Sequence, residues 1–210
     1  MKQIILLLFC CITSVVQALP FGYKPVTDPQ QFKDKFTAAS RQIQTVSADF
    51  TQVKQMNLVK DKMVSKGRFY YKQSDKVRIE YQKPFTYLMI LNGHSMKVKD
   101  EQKESTYNTH SNKMMESINN IMLDCMSGHV YQNRDFTVIV GENPKEFVLE
   151  MTPGSRLMKN MFAHIDVYLS KSDYHVLRLN LVEPGGDNSL MTFTSSILNQ
   201  PVDDKLFKTD

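Results

Sequence analysis

The chain has no tryptophan, and beyond its first 18 residues it has one cysteine, Cys125. A single thiol cannot close an internal disulfide, so a stable fold has to rest on sheet pairing and an apolar core. No block of one charge sign is present. The 26 Lys and Arg are interleaved with 22 Asp and Glu, for a net charge of +4, and no basic run of the nucleic-acid-binding kind occurs. The five histidines (His94, His110, His129, His164, His175) include no i, i+4 pair, which excludes a helical zinc site. No G-x-S-x-G surrounds Ser155, so a nucleophile elbow is excluded too. The adjacent Gly185 and Gly186 read as turn geometry, and Cys125 as a buried, inert thiol. No catalytic residue, metal ligand or cofactor is expected.

The only long apolar run, Ile4 to Val16, is shorter than the roughly 20 residues of a membrane-spanning helix. It follows Lys2 and precedes Val16-Gln17-Ala18, the pattern of a secretory leader cut after Ala18. Cys10 and Cys11 do not suit a lipid anchor, because Phe9 and Cys10 stand where a small residue is needed. The expectation is a leader over residues 1–18 and one exported, soluble domain over 19–210. Linkers, repeats and low-complexity stretches are not seen.

Within that domain the apolar period changes twice. Asp28-Pro29 opens a helix carrying Phe32, Phe36, Ala39 and Ile43 on one face. From Val46 the period drops to two. Phe50, Phe69, Tyr71, Val77, Ile79 and Tyr81 then fall on one side of successive strands, with Arg68, Arg78 and Glu80 on the other. A run from Phe85 through Met89 to Leu91 ends at the hairpin signal Asn92-Gly93. A second helix, over 111–127, carries the stripe Met114, Met115, Ile118, Ile121, Met122 and Cys125, and Gly128 stops it. Further strands are expected over 136–140, 146–151, 163–169, 175–182 and 189–198, with Asp203-Asp204 as a late helix cap. The fold class is therefore mainly β (α+β), an incomplete antiparallel β-barrel of about ten strands. So large an open sheet curls, and two amphipathic helices must form a helical lid over its apolar cavity.

Methionine is over-used, at 13 residues. Met114, Met115, Met122 and Met126 share one helix, where they serve either as core filling or as a pliable surface for flexible apolar ligands.

Five segments, in order, resemble the LolA-type lipoprotein carriers. Phe50-Thr51-Gln52 is similar to the family's F-x-Q, and Lys66-Gly67-Arg68-Phe69-Tyr70-Tyr71 to its G-x-(F/L)-x-(Y/V) strand. Val77-Arg78-Ile79-Glu80-Tyr81, with Pro84 beyond, resembles (F)-R-W-x-Y…P. Leu91-Asn92-Gly93 and the closing Asn199 to Phe207 follow the same pattern. The resemblance implies a periplasmic, non-enzymatic and monomeric carrier whose cavity shields the acyl chains of lipoproteins between inner and outer membrane. It implies two further partners, an ATP-driven inner-membrane release complex and an outer-membrane receptor. On this reading the lipid-binding residues are Phe50, Phe69, Tyr71, Val77, Ile79, Tyr81, Met89, Leu91, Met114, Met115, Ile118 and Met122. Two departures stand out. The family's lid-bonding arginine is replaced by Gln73, which makes Arg78 either the residue that gates the lid or a solvated arginine paired with Glu80 or Glu101, and its tryptophan is replaced by Ile79. The competing readings are a lipid or lipoprotein sensor, or a carrier of another lipid, on the same fold.

Overall fold

A computed structural model describes residues 19–111 and 113–210, apart from the side chains of Val59, Lys60 and Ile118. The leader expected over 1–18 lies outside the described residues.

The elements run in the order β1 (Lys24–Pro25), α1 (Pro29–Gln42), β2 (Thr45–Met56), β3 (Val59–Lys72), β4 (Lys76–Lys83), β5 (Tyr87–Asn92), β6 (Ser95–Lys99), β7 (Glu104–Asn108) and α2 (Lys113–Ser127). They continue with β8 (Phe136–Glu142), β9 (Glu146–Pro153), α3 (Arg156–Lys159), β10 (His164–Ser170), β11 (Val176–Val182) and β12 (Asn188–Leu198). All twelve strands join one sheet, ordered β1-β8-β9-β10-β11-β12-β2-β3-β4-β5-β6-β7. Every neighbouring pair is antiparallel. The sheet is open, with β1 and β7 as its edges. It has twelve strands rather than about ten. The surplus comes from short strands such as the dipeptide β1, too brief for an alternation to show.

This topology places the lid. The chain leaves the sheet at one edge, β7, and re-enters near the other, at β8. The segment between is α2, so the crossing from edge to edge is made by a helix with an apolar face. Ile121 and Cys125 of that face pack with Val167 and Leu169 of β10, while Met115, Met122, Leu123 and Met126 pack on the β2–β6 cluster. The first helix supports the second. Asp28 caps α1 by accepting from the Gln31 N–H at 2.8 Å, and Phe32 and Phe36 are buried beneath it. Gly128 ends α2 at φ +75°, and a Cβ there would stand 2.9 Å from Ser40 of α1. Only glycine permits both the left-handed turn and this approach.

The outer face is largely polar, but parts of it are covered, and Val148, Tyr168 and two carboxyls are buried there. Asp166 of β10 and Glu150 of β9 stand opposite each other in register and are both buried. Asn180 Nδ2 donates to Asp166 Oδ2 at 3.0 Å, and His164 Nε2 lies 3.7 Å from the same oxygen. Burial holds both carboxyls above the ordinary carboxylate range, and the Asp166 charge raises Glu150 further. The folded state thus binds these protons more tightly than the unfolded chain. Stability contributed by the pair is greatest in acid and falls as pH rises through the raised values. Asp166→Asn removes that loss, so its melting temperature near neutral pH should exceed wild type by a few degrees, with a flatter acid-to-neutral profile. Superimposable profiles would show that the pair does not titrate in this way.

The C-terminal residues cross the same outer face at its other end. A 3₁₀ turn, Asp204–Phe207, capped by Asp203, packs on β4 and β5. Asn92 Nδ2 donates to the Phe207 carbonyl at 3.1 Å, Lys72 and Lys76 hold the Asp204 carboxylate, and Phe207 is fully buried.

Candidate functional site: an apolar cavity beneath α2

Between α2 and the concave face lies a cavity of about 220 Å³. Its first wall is Phe69 of β3, Val77, Ile79 and Tyr81 of β4, and Met89 of β5. Its second wall is Ile165 and Val167 of β10, Leu179 and Leu181 of β11, and Met191 and Phe193 of β12. Ile121, Met122, Cys125 and Met126 of α2 form the roof, and Phe162 closes one side. The polar lining groups are Gln52, Ser189 and the Tyr81 hydroxyl, which donates to Gln52 Oε1. No lining residue carries a formal charge. The rings are fixed against each other: Phe69 meets Phe193 at 5.1 Å across the floor, and Phe50 meets Tyr81 edge-on at 5.0 Å. Burial pushes the Tyr81 phenol and the Cys125 thiol each up to about 12, so both stay neutral and add no charge.

Strand alternation explains which side chains reach the cavity. Of the twelve lipid-binding candidates, Phe69, Val77, Ile79, Tyr81, Met89 and Met122 line it. Phe50, Tyr71 and Leu91 belong to the same packed cluster but lie behind the lining, where they fill the wall. Met115 packs against that cluster. Met114, expected on the lining, is 37 % exposed in the first turn of α2 and does not line the cavity. The side chain of Ile118 lies outside the described residues. Sequence reasoning passed over Gln52 and the whole second wall. The alternation of β10 to β12 carried the signal: Ile165, Val167, Leu179, Leu181, Met191 and Phe193 recur with period two, as the first-wall residues do.

Arg78, the candidate to gate the lid, makes its described hydrogen bonds on the outer face and not to α2. It faces outward, as its place between Val77 and Ile79 dictates, and its guanidinium donates to Glu80 at 2.8 Å and to the Leu206 carbonyl at 3.1 Å. Its physical role is to hold the C-terminal turn. Arg78→Ala should cost about 1–2 kcal/mol and speed proteolysis after Lys205 and Lys208, with acyl-chain uptake unchanged. A drop in uptake without faster cleavage would return Arg78 to the lid. Gln73, at the position of the family's lid arginine, uses its backbone N–H to bond the Gln44 carbonyl at 2.7 Å. Hydrogen bonds that hold α2 run to its flanks: Thr37 Oγ1 to the Gly128 carbonyl, Ser117 Oγ to Asp135, and Asn133 Nδ2 to Asp124. Against the sheet it sets flexible thioethers. Cys125 Sγ also lies 3.9 Å from Met151 Sδ of β9.

Among the described residues no group of three or more His, Cys, Asp or Glu could hold a metal ion. No described helix is long and apolar enough to cross a membrane.

The profile of the family described as outer membrane lipoprotein carrier protein LolA matches residues 41–210. The chain belongs to the LolA family. Solved structures agree on the fold. An uncharacterized conserved protein from Thermus thermophilus superposes with a TM-score of 0.51 at 11 % identity, covering 86 % of this chain and 94 % of that one. MucB superposes with a TM-score of 0.50 at 14 % identity, covering 86 % of this chain and 62 % of that one. The LolA superfamily protein of Nitrosomonas europaea is also similar, with a TM-score of 0.47 at 10 % identity over 87 % of this chain and 98 % of that one. No curated protein sequence matches.

Proposed function

We infer that this protein is a non-enzymatic periplasmic carrier that takes the acyl chains of lipoproteins from the inner membrane and shields them on the way to the outer membrane. One observation carries the reading: an apolar cavity with no charged lining residue, roofed by a methionine-rich helix that joins the two sheet edges. Acyl chains have no soluble state of their own, and each buried methylene contributes about 0.8 kcal/mol. A cavity of about 220 Å³ is below the roughly 300–1,000 Å³ of sites that enclose sizeable ligands, so cargo enters by lifting α2. The work of lifting lowers net affinity, which a carrier needs at delivery. An inner-membrane ATP-driven complex supplies the cargo on this reading, and an outer-membrane acceptor receives it.

The test is release. Spheroplasts displaying a triacylated lipoprotein are incubated with the purified protein and sedimented. The expected result is lipoprotein in the supernatant, in a one-to-one complex by native mass spectrometry. Release of other lipids but no lipoprotein would make the cargo a different amphiphile, and release of nothing would remove the carrier reading.

A further inference from the structure

The β2–β3 hairpin runs past the cavity. Its strands span Thr45–Met56 and Val59–Lys72, longer than the apolar alternation that ends near Phe50. At the tip Leu58 is 99 % exposed, with Met63 at 42 % and Val64 at 48 % on the returning strand. Phe85, at 37 %, faces the same groove as Met63. Monomeric soluble proteins seldom gather large apolar side chains this way without a use. The tip is braced, not loose: the Asn57 N–H donates to Asp187 Oδ1 at 2.8 Å, and Asn57 Nδ2 donates to the Gly185 carbonyl. Leu58 is held out on a built support.

The free charge around it is mostly basic. Lys62, Lys66 and Lys83 are exposed, and Lys66 stands opposite Lys83 in register. Like charges facing across strands destabilise a sheet. The carboxylates nearby are committed, Glu183 to Lys54 at 3.3 Å and Asp187 to the Asn57 N–H, which leaves Asp61 against the three lysines.

This corner also adjoins the cavity. Gln52 and Tyr81 line both the cavity and a groove of about 250 Å³ that continues through Met63, Phe85, Tyr87 and Lys54 toward the hairpin. We propose that the β2–β3 tip docks on an anionic phospholipid surface, with Leu58 inserted below the headgroups and Lys62, backed by Lys66 and Lys83 farther along the strands, drawing the tip to their phosphates. Only the turn beyond Gln55, where β12 stops pairing with β2, stands clear, and it offers little of the roughly 800 Å² per partner that a standard protein interface buries. A bilayer, by contrast, accepts a single protruding apolar tip ringed by lysines. Docking here would set the groove, and with it the cavity, against the lipid surface. The proposal relies on the carrier reading for its purpose but not for its binding.

The experiment is vesicle flotation of the exported protein, its N-terminus read by mass spectrometry, with phosphatidylcholine vesicles that contain or lack phosphatidylglycerol. Uptake of a fluorescent fatty acid is measured in parallel. Wild type should float with the anionic vesicles and lose that binding in high salt. Leu58→Asp should lower partitioning by roughly tenfold or more, and Lys66→Glu or Lys83→Glu by roughly fivefold each. None of these variants should change fatty-acid uptake. Because all three side chains are exposed, a circular dichroism spectrum like wild type is expected. Equal flotation of wild type and Leu58→Asp, or equal binding to neutral vesicles, overturns the proposal. So does a wild type that takes up fatty acid but floats with neither vesicle, or that binds an acidic membrane protein in place of lipid. Flotation without fatty-acid uptake supports docking and overturns the carrier reading alone.

Discussion

Gly67→Ala is expected to cost about 3 kcal/mol or more and to be the most damaging single-methyl change in the sheet. Gly67 lies in β3 at a register shift between Lys66 and Gly67, opposite Tyr81 of β4. A Cβ there would overlap the Glu80 carbonyl oxygen of the neighbouring strand and stand 2.7 Å from Cζ of Phe50. The ring could tilt. The carbonyl cannot move without opening the β3–β4 ladder. The double variant Gly67→Ala, Phe50→Leu therefore separates the two clashes, since it relieves the ring and leaves the backbone. Chemical denaturation should find the double variant no more stable than the single. Recovery to near wild type would place the whole cost on Phe50. Stability of Gly67→Ala within about 0.5 kcal/mol of wild type would mean that the strands do not approach this closely. The result also bears on the cavity, because Phe50 packs against Tyr81, a lining residue that bonds Gln52.

Met122→Asp should abolish acyl-chain uptake, by roughly a hundredfold or more, while the protein still unfolds cooperatively near the wild-type temperature. Met122 is on the roof and not in the sheet, so a charge there meets the cavity first. With no cargo bound, α2 can lift and let the carboxylate reach water. With cargo bound, the carboxylate sits desolvated against hydrocarbon. Fluorescent fatty-acid titration reads the affinity, and a thermal melt reads the fold. Undiminished uptake would show that α2 is not the roof of the binding site. A collapse in melting temperature would show that it is core and not lid. Met122→Leu, which keeps the apolar volume, is the control and should bind within a few-fold of wild type.

Much of this architecture is legible in period and punctuation. Asp28-Pro29 starts α1, Gly128 stops α2, and Asp203 caps the final turn, because capping and chirality are decided by a few adjacent residues. The two-residue alternation around Phe69, Val77 and Ile79 named one wall of the cavity, since a strand has two faces and only one can be dry. The same alternation gave Arg78 its outward direction, where it pairs with Glu80. The geometry follows the alternation. Length was harder to read. The β2–β3 hairpin extends to Met56 and Val59 because backbone pairing continues where both faces are wet, and no apolar period marks such a strand.

The sequence by itself determined the element types, the dry face of each strand and the amphipathic helix that became the roof. These depend on contacts between near neighbours in the chain. Only the tertiary structure decided that β12 pairs with β2, uniting two meanders into one sheet. It alone decided that Ile165, Leu179 and Phe193 face Phe69 and Ile79 across one cavity, and that Leu58 stands exposed at the end of it. Pairing partners far apart in sequence are chosen by the total apolar surface the curled sheet can bury, and no local stretch records that sum.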